Sequence, residues 1–472
     1  MEKKIPVVAV FDVGKTNKKL LVFDADYNLL KEEVTCFDEI ADDDGFPCEN
    51  MDALAEWVLS EYEKLKRSEK FQLKAVNFST YGASLVYMNH KRDRVGYLYN
   101  YLKPYPPELA EQLIEARGGM TYFSEDTSSP IMGHLNAGLQ LYWLKHQKTD
   151  LFNNVATALH LPQYLSFLIT GQYKAELTSL GCHSAMWDFS KMNYHSWLQE
   201  EGLHTRLATV TKGNEVIRCS NEFTGEEIWV GTGLHDSSAA VNPYLSRFTD
   251  PFMILSTGTW VICMNPFNSD LPDSRELEKG CLSYLTYQGA PIKTTMLFAG
   301  NDHDQQVKRI TQYFAINETY LKSMVYDGGV IEQLEKKGFQ LASKSGAADL
   351  VSATTPCLFN SRDLSFFNSP EQAYHQLLID LVIQQKASAD MVLQNTEIDN
   401  IYVDGGFCKN KIYMQLLANA FSTKNVFATS MTQGTALGAA LAIHDSWNGG
   451  QLSESLISLK RWIAHQDRLV PR

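Results

Sequence analysis

The feature that most constrains this chain is Val7–Asp24, VVAVFDVGKTNKKLLVFD. An unbroken apolar run, Val7–Phe11, ends in Asp12. A polar stretch, Gly14-Lys15-Thr16-Asn17, follows, and a second apolar run, Leu20–Phe23, comes straight back. Two runs rich in strand-favouring residues around a short glycine-bearing turn predict a β-hairpin. Backbone N–H groups in such a turn, with the Thr16 hydroxyl and the Lys15 and Lys18 ammonium groups beside them, suit phosphate oxygens. Asp12 repels phosphate and suits Mg²⁺ instead. Gly14-Lys15-Thr16 imitates the end of a P-loop, but that motif needs glycine where Ala9 stands and a helix after the threonine. A strand-like run follows here, so a P-loop is excluded.

The 472 residues suffice for two or three domains. A net charge of -13 argues against a broad nucleic-acid surface and against an anionic membrane as partner. No apolar run reaches membrane-spanning length. Eight scattered cysteines without a C-x-x-C pair fit reduced thiols, and with them a cytoplasmic location, better than disulfides or zinc.

Along the chain, Asn50 is expected to cap a helix carrying Leu54, Val58, Tyr62 and Leu65. A strand at Ala75–Phe78 then breaks at Ser79–Ser84, a turn containing Gly82. Helices are expected over 104–118 and 135–144, with a loop-like stretch to Pro130 and a helix over most of 156–171. Thr178–Trp187 is small and polar, as the lining of a cleft would be. In 230–240 small residues surround His235-Asp236. Asp236 reads either as a helix cap or as a general base.

After a connecting stretch at 243–251 the opening pattern recurs. Phe252–Leu255, Ser256-Thr257-Gly258-Thr259, and Trp260–Met264 again read strand, turn, strand. The recurrence about half a chain later implies two related α/β domains, each with a hairpin. Asn301 or Asp302 is expected as a helix cap. Ser369-Pro370-Glu371-Gln372 is a strong helix start. A strand at Ile401–Val403 leads into Gly405-Gly406, where backbone can approach a ligand closely, and then into Asn410 and a helix. The small residues of Gly434–Ala442 suit a helix in tight contact with another element.

The ordered set Asp12-x-Gly14, His235-Asp236, Ser256–Trp260, Gly405-Gly406 with Asn410, and Gly434–Ala440 resembles the FGGY family of carbohydrate kinases, of the actin, heat-shock and sugar-kinase superfamily. The rhamnulokinase-like members are the most similar, through Leu161-Pro162-Gln163-Tyr164, Thr170-Gly171 and Gly406-x-Cys408-x-Asn410. The resemblance implies an α/β fold of two ribonuclease-H-like (actin-like ATPase) domains flanking a catalytic cleft, 1–248 for sugar and catalytic base and 249–472 for nucleotide. It implies ATP and Mg²⁺, a ketose as acceptor, and a monomer or homodimer. By the same resemblance Asp236 is the general base, and Gly82 and His235 belong to the sugar site. Gly14, Lys15, Thr16, Asn17, Lys18, Thr259, Gln305, Gly405, Gly406 and Asn410 belong to the nucleotide site, and Asp12 to the metal. A non-catalytic sugar or nucleotide sensor on the same fold is the competing reading. The chain departs from the family near residue 100. Many members carry Asp-x-Arg there, and this chain has Tyr99-Asn100-Tyr101-Leu102-Lys103-Pro104.

Overall fold

In the computed structural model Val7, Val8, Ala9, Val10 and Phe11 are all without solvent exposure. A strand buried on both faces explains why the run is continuous rather than alternating. The structure describes residues 3–337, 352–429, 431, 433–453 and 456–464. The chain divides into two units. The first comprises Met1–Arg247, Leu282–Pro291 and Gln433–Leu456. The second comprises Phe248–Cys281, Ile292–Thr432 and Ile457–Arg472. A division by sequence position alone puts Gln433–Leu456 in the second half, whereas packing puts it in the first unit.

The first unit is built on a sheet in the order Val216–Ser220, Glu227–Gly231, Phe71–Thr80, Ile5–Val13, Lys18–Asp24, Leu29–Thr35, with Leu234–His235 also paired to Phe71–Thr80. Ile5–Val13 runs antiparallel to Lys18–Asp24 and parallel to Phe71–Thr80. The hairpin therefore forms, with Val13 opposite Lys18 and Gly14 N–H donating to Asn17 O at 3.0 Å. Met51–Lys66 packs Leu54 and Val58 into the core that holds Val7, Ala9 and Phe11. Asn50 caps that helix, its side-chain oxygen accepting from Ala53 N at 3.1 Å. A second core in the same unit gathers Tyr99, Trp143, Trp197 and Met186.

The second unit repeats the plan. Pro291–Leu297, Val261–Asn265 and Phe252–Thr257 are antiparallel neighbours, and Phe252–Thr257 pairs in parallel with Asn400–Gly405, which pairs in parallel with Asn425–Thr429. The long helix Pro370–Leu393 covers this sheet with Leu377, Leu381 and Val392. Ser369 caps it, accepting from Gln372 N at 3.4 Å.

Three local expectations are corrected. The stretch before Pro130 contains a helix, Met120–Thr127. The segment beginning at Ala156 opens with a strand, Thr157–His160, because it finds the distant partner Leu85–Met88 and only then turns into the helix Leu161–Thr170. The helix expected to be capped by Asn301 or Asp302 begins at Ala299, and the Asp302 carboxylate instead accepts from Cys357 N at 2.6 Å.

Candidate active site

In the first unit three strand ends carry the candidate residues. Asp12 lies near the end of Ile5–Val13, in register with Ser79 of Phe71–Thr80, and Leu234–His235 lies in register with Ser79 and Thr80 on the other side. Parallel pairing therefore brings Asp12, the Gly82 turn and His235-Asp236 to the same edge of one sheet, where α/β proteins form ligand sites.

Asp236 opens the short helix Asp236–Ala239. Its Oδ1 accepts from Ser237 N at 2.6 Å and from the Ser237 hydroxyl at 3.2 Å. Burial pushes its carboxyl up to about 6, against those two hydrogen bonds. Asp236 is thus the first helical residue, with His235 in the cap position, and both of its hydrogen bonds to Ser237 fall on Oδ1. His235 Nε2 lies 3.4 Å from Asp236 Oδ1, and its Nδ1 lies 3.3 Å from Ser238 Oγ. The backbone N–H of His235 donates to Thr178 Oγ1 at 2.9 Å, and the Thr178 hydroxyl donates to the buried Glu176 carboxylate at 2.6 Å. Burial pushes the His235 imidazole down to about 3, so it is neutral at pH 7.

Gly82 is required by space. A Cβ there would stand 3.1 Å from His183 Cε1 and 3.1 Å from His235 Cδ2. His183 is buried, is also held neutral by burial, and neither of its ring nitrogens has a protein partner. Sequence reasoning missed His183. Its only signal was membership of the small, polar stretch 178–187.

Asp12 is half-buried and has a hydrogen-bond donor of the same unit beside it. Its Oδ2 accepts from the Thr435 hydroxyl at 3.0 Å. Burial first, and the Asp236 charge second, push its carboxyl up to about 6. The Asp12 and Asp236 carboxylates repel each other, and with the Ser79 hydroxyl that hydrogen-bonds Asp12 they form a hard-oxygen donor set that fits Mg²⁺. Thr435 belongs to the helix Gly434–Ala442, whose start is part of the family resemblance and for which the sequence predicts tight packing but no contact to Asp12. That packing is tight: a Cβ on Gly438 would fall 1.8 Å from Ala239 O.

The hairpin turn divides into differently engaged residues. Gly14, Thr16 and Asn17 keep the open turn. Lys15 pairs with Glu39 at 2.5 Å in a partly exposed contact. Lys18 is corrected: its ammonium is buried and bonded to Glu49 at 2.9 Å and to Lys15 O at 3.1 Å, so it braces the turn from inside. The departure near residue 100 also has a structural counterpart, since Lys103 bonds Asp42 and Asp44, each at 2.6 Å.

In the second unit, Thr259 occupies the turn between Phe252–Thr257 and Val261–Asn265. Its carbonyl accepts from Asn301 N at 3.1 Å, and Gly300 approaches Gly258 so closely that a Cβ would stand 1.9 Å from Gly258 O. Gly405 has φ +89°, and its Cβ would meet Thr257 O at 2.1 Å; Gly406 N donates to that oxygen at 2.7 Å. Both glycines are exposed and adjoin a cavity of about 560 Å³ lined also by Cys408, Lys409, Ala428 and Lys460. Asn410 caps the helix Lys411–Ala420, accepting from Ile412 N and Tyr413 N at 3.1 Å each, and its amide donates to the Tyr374 hydroxyl at 2.8 Å. Its present contacts are therefore those of a cap. Gln305 is exposed on Ala299–Phe314.

Two units that each set a hairpin beside a parallel strand fit an actin-like ATPase fold, and the first carries Asp12 and Asp236 at the ends of its strands. Residues 7–241 match the FGGY family of carbohydrate kinases, N-terminal domain, and residues 365–443 match its C-terminal domain. The chain belongs to the FGGY family of carbohydrate kinases. A rhamnulokinase of Klebsiella pneumoniae (strain 342) is 24% identical over 251 residues, 48% of this chain and 47% of the relative. The chain thus spans about half the length of the first curated relatives it matches. With a rhamnulokinase of Yersinia pestis (strain Pestoides F) it is 21% identical over 451 residues, 88% of this chain and 85% of the relative. Among solved structures, a carbohydrate kinase from Novosphingobium aromaticivorans superposes with a TM-score of 0.76 at 19% identity, covering 98% and 95% of the two chains. A ligand-bound xylulose kinase from Lactobacillus acidophilus gives 0.74 at 14%, covering 98% and 94%. These structures share the fold.

Proposed function

We propose that this chain is an ATP-dependent sugar kinase that transfers the γ-phosphoryl of ATP to a hydroxyl of a ketose, of the class that includes L-rhamnulose, fuculose and xylulose. The observation that carries the reading is the partly exposed Asp236 carboxylate beside His235, which in turn adjoins the Gly82 turn. A sugar hydroxyl is a weak nucleophile at neutral pH. Asp236 accepts its proton as the oxygen–phosphorus bond forms and the bond to the ADP oxygen breaks. His235 and the Gly82 turn orient the sugar. Gly14, Thr16 and Asn17 receive phosphate oxygens, with Lys15 adding positive charge, while Thr259, Gly405 and Gly406 serve the nucleotide in the second unit, with Asn410 and Gln305 on its margin. Asp12 and Ser79 would hold Mg²⁺, which supplies charge neutralisation at the phosphates. Rhamnulokinase relatives favour a deoxyketose acceptor.

A coupled ADP-release assay with Mg-ATP and a panel of ketoses and glycerol tests this. Turnover of one ketose, lost in Asp236→Asn, is the expected result. ATP binding without turnover across the panel would replace the kinase with a sensor.

A further inference from the structure

Cys182, His183 and His235 form a cluster in which the proposed phosphoryl transfer uses His235 but neither the thiol nor the second imidazole. One ligand atom from each, the thiol sulfur and a ring nitrogen of both imidazoles, lies within 4.8 Å of the others. All three side chains are buried. They come from two separate segments of the first unit, so sequence adjacency does not account for the convergence. The His183 ring nitrogens have no partner, and its carbonyl is anchored by the Asn136 amide at 2.8 Å. The wall is completed by the Tyr284 ring, 5.1 Å from His235 and 6.3 Å from His183. On the open side stands the Asp236 side chain, 30% exposed, which leaves a route for an ion.

We propose that Cys182, His183 and His235 bind one thiophilic divalent cation of the Zn²⁺ class, and that the bound ion inhibits by withdrawing His235 from the sugar. One thiolate and two imidazoles are the borderline-soft donor set that zinc prefers, and Mg²⁺ avoids it. A tetrahedral centre with bonds of about 2.0–2.3 Å sets its ligand atoms about 3.5 Å apart, so the present spacing closes by side-chain rotation of roughly 1 Å. The balance is simple. The Cys182 S–H bond, which now faces Ser179 O at 3.2 Å, breaks and a sulfur–metal bond forms. The proton passes to solvent, the neutral imidazoles lose none, and no electron moves. Asp236 or water takes the fourth position. The inhibitory half rests on the proposed sugar site, whereas the binding half does not.

The test uses the tag-free full chain after chelator treatment. Titration with Co²⁺ is expected to saturate at one equivalent with a thiolate-to-cobalt charge-transfer band, which Zn²⁺ then abolishes by displacement. Cys182→Ala should lose the band and weaken the metal at least about 100-fold. In ketose-dependent turnover with excess Mg²⁺, Zn²⁺ should raise the apparent KM for the ketose and leave kcat unchanged, and Cys182→Ala should keep turnover while losing zinc sensitivity. Absence of the thiolate band, or its persistence in Cys182→Ala, overturns the site. Metal held at Asp42–Asp44, the other group of potential metal ligands among the described residues, would show no thiolate band and so counts against the proposal. A band without inhibition upholds the site and overturns the inhibitory role. If no sugar is turned over at all, the cobalt titration still decides the binding half.

Discussion

Asp236 is both the group on which the proposed chemistry depends and a burden on the fold. Its carboxyl sits at about 6 instead of 3.8 because burial penalises its charge. A carboxyl raised in the folded state costs stability above that value, and the cost disappears as pH falls below 3.8. Asp236→Asn is therefore expected to lower kcat by ~10²–10⁴ while the melting temperature at pH 7 holds or rises. Calorimetry beside the ADP assay checks both, and a large fall in melting temperature would mean the carboxylate is structural. The same sign governs activity. The base works ionised, so kcat should be flat above pH ~6.5 and fall about tenfold per unit below about 6, a limb that disappears if another group is the base. Gly82→Ala sets a methyl 3.1 Å from two imidazoles. The expected outcome is a ketose KM raised about tenfold or more with ATP affinity unchanged, measured by steady-state kinetics. Asp12, His235 and Asp236 were singled out by the sequence, Asp12 because it ends an apolar run at a glycine-bearing turn and His235-Asp236 because small residues surround the pair. His183 and Thr435 were not, since nothing local distinguishes a histidine or threonine that meets its neighbours only after folding.

The element most exposed to small changes is the helix Gly434–Ala442. Gly438 touches Ala239 O, Asn77 Nδ2 donates to Ala439 O at 2.7 Å, and Asn242 Nδ2 donates to Gly438 O at 3.1 Å. It therefore fixes the short helix that begins with Asp236 as well as the Thr435 contact to Asp12. Gly438→Ala is expected to cost about 1–3 kcal/mol by overpacking and to lower kcat through displaced carboxylates. Chemical denaturation paired with kinetics tests it, and an unchanged midpoint would show that the helix can retreat freely. The small residues of this helix announced close contact, but the partner, Ala239, lies far earlier in the chain. The strand Thr157–His160 was misread for the same reason. Four residues of mixed propensity become a strand only when Leu85–Met88 offers its hydrogen bonds.

For the molecule as a whole, the chain leaves the first unit after Arg247 and returns to it at Leu282–Pro291 and again at Gln433–Leu456. A fragment ending at residue 247 therefore lacks the helix that satisfies the Asn77 and Asn242 amides. It is expected to fail to unfold cooperatively, and addition of the 433–456 peptide should restore a sharper transition, as followed by circular dichroism. A cooperative, stable 1–247 fragment would contradict this account. Among the described residues no helix is long and apolar enough to cross a membrane.

Two hairpins, their half-chain repetition, the helix caps at Asn50 and Ser369 and membership of a kinase family were all readable from the amino-acid order. The hairpins and caps rest on apolar runs, turn residues and capping chemistry within about ten residues, where backbone preference and side-chain type act directly, whereas the repetition and the family rest on the order of such short motifs along the chain. The commitment of Lys18 to Glu49, the Thr435 contact to Asp12, the meeting of His183 with Gly82 and His235, and the upward shift of two carboxyls were decided by tertiary structure alone. They depend on which distant surfaces exclude water from one another, and desolvation and long-range contact leave no periodic trace in the chain that undergoes them.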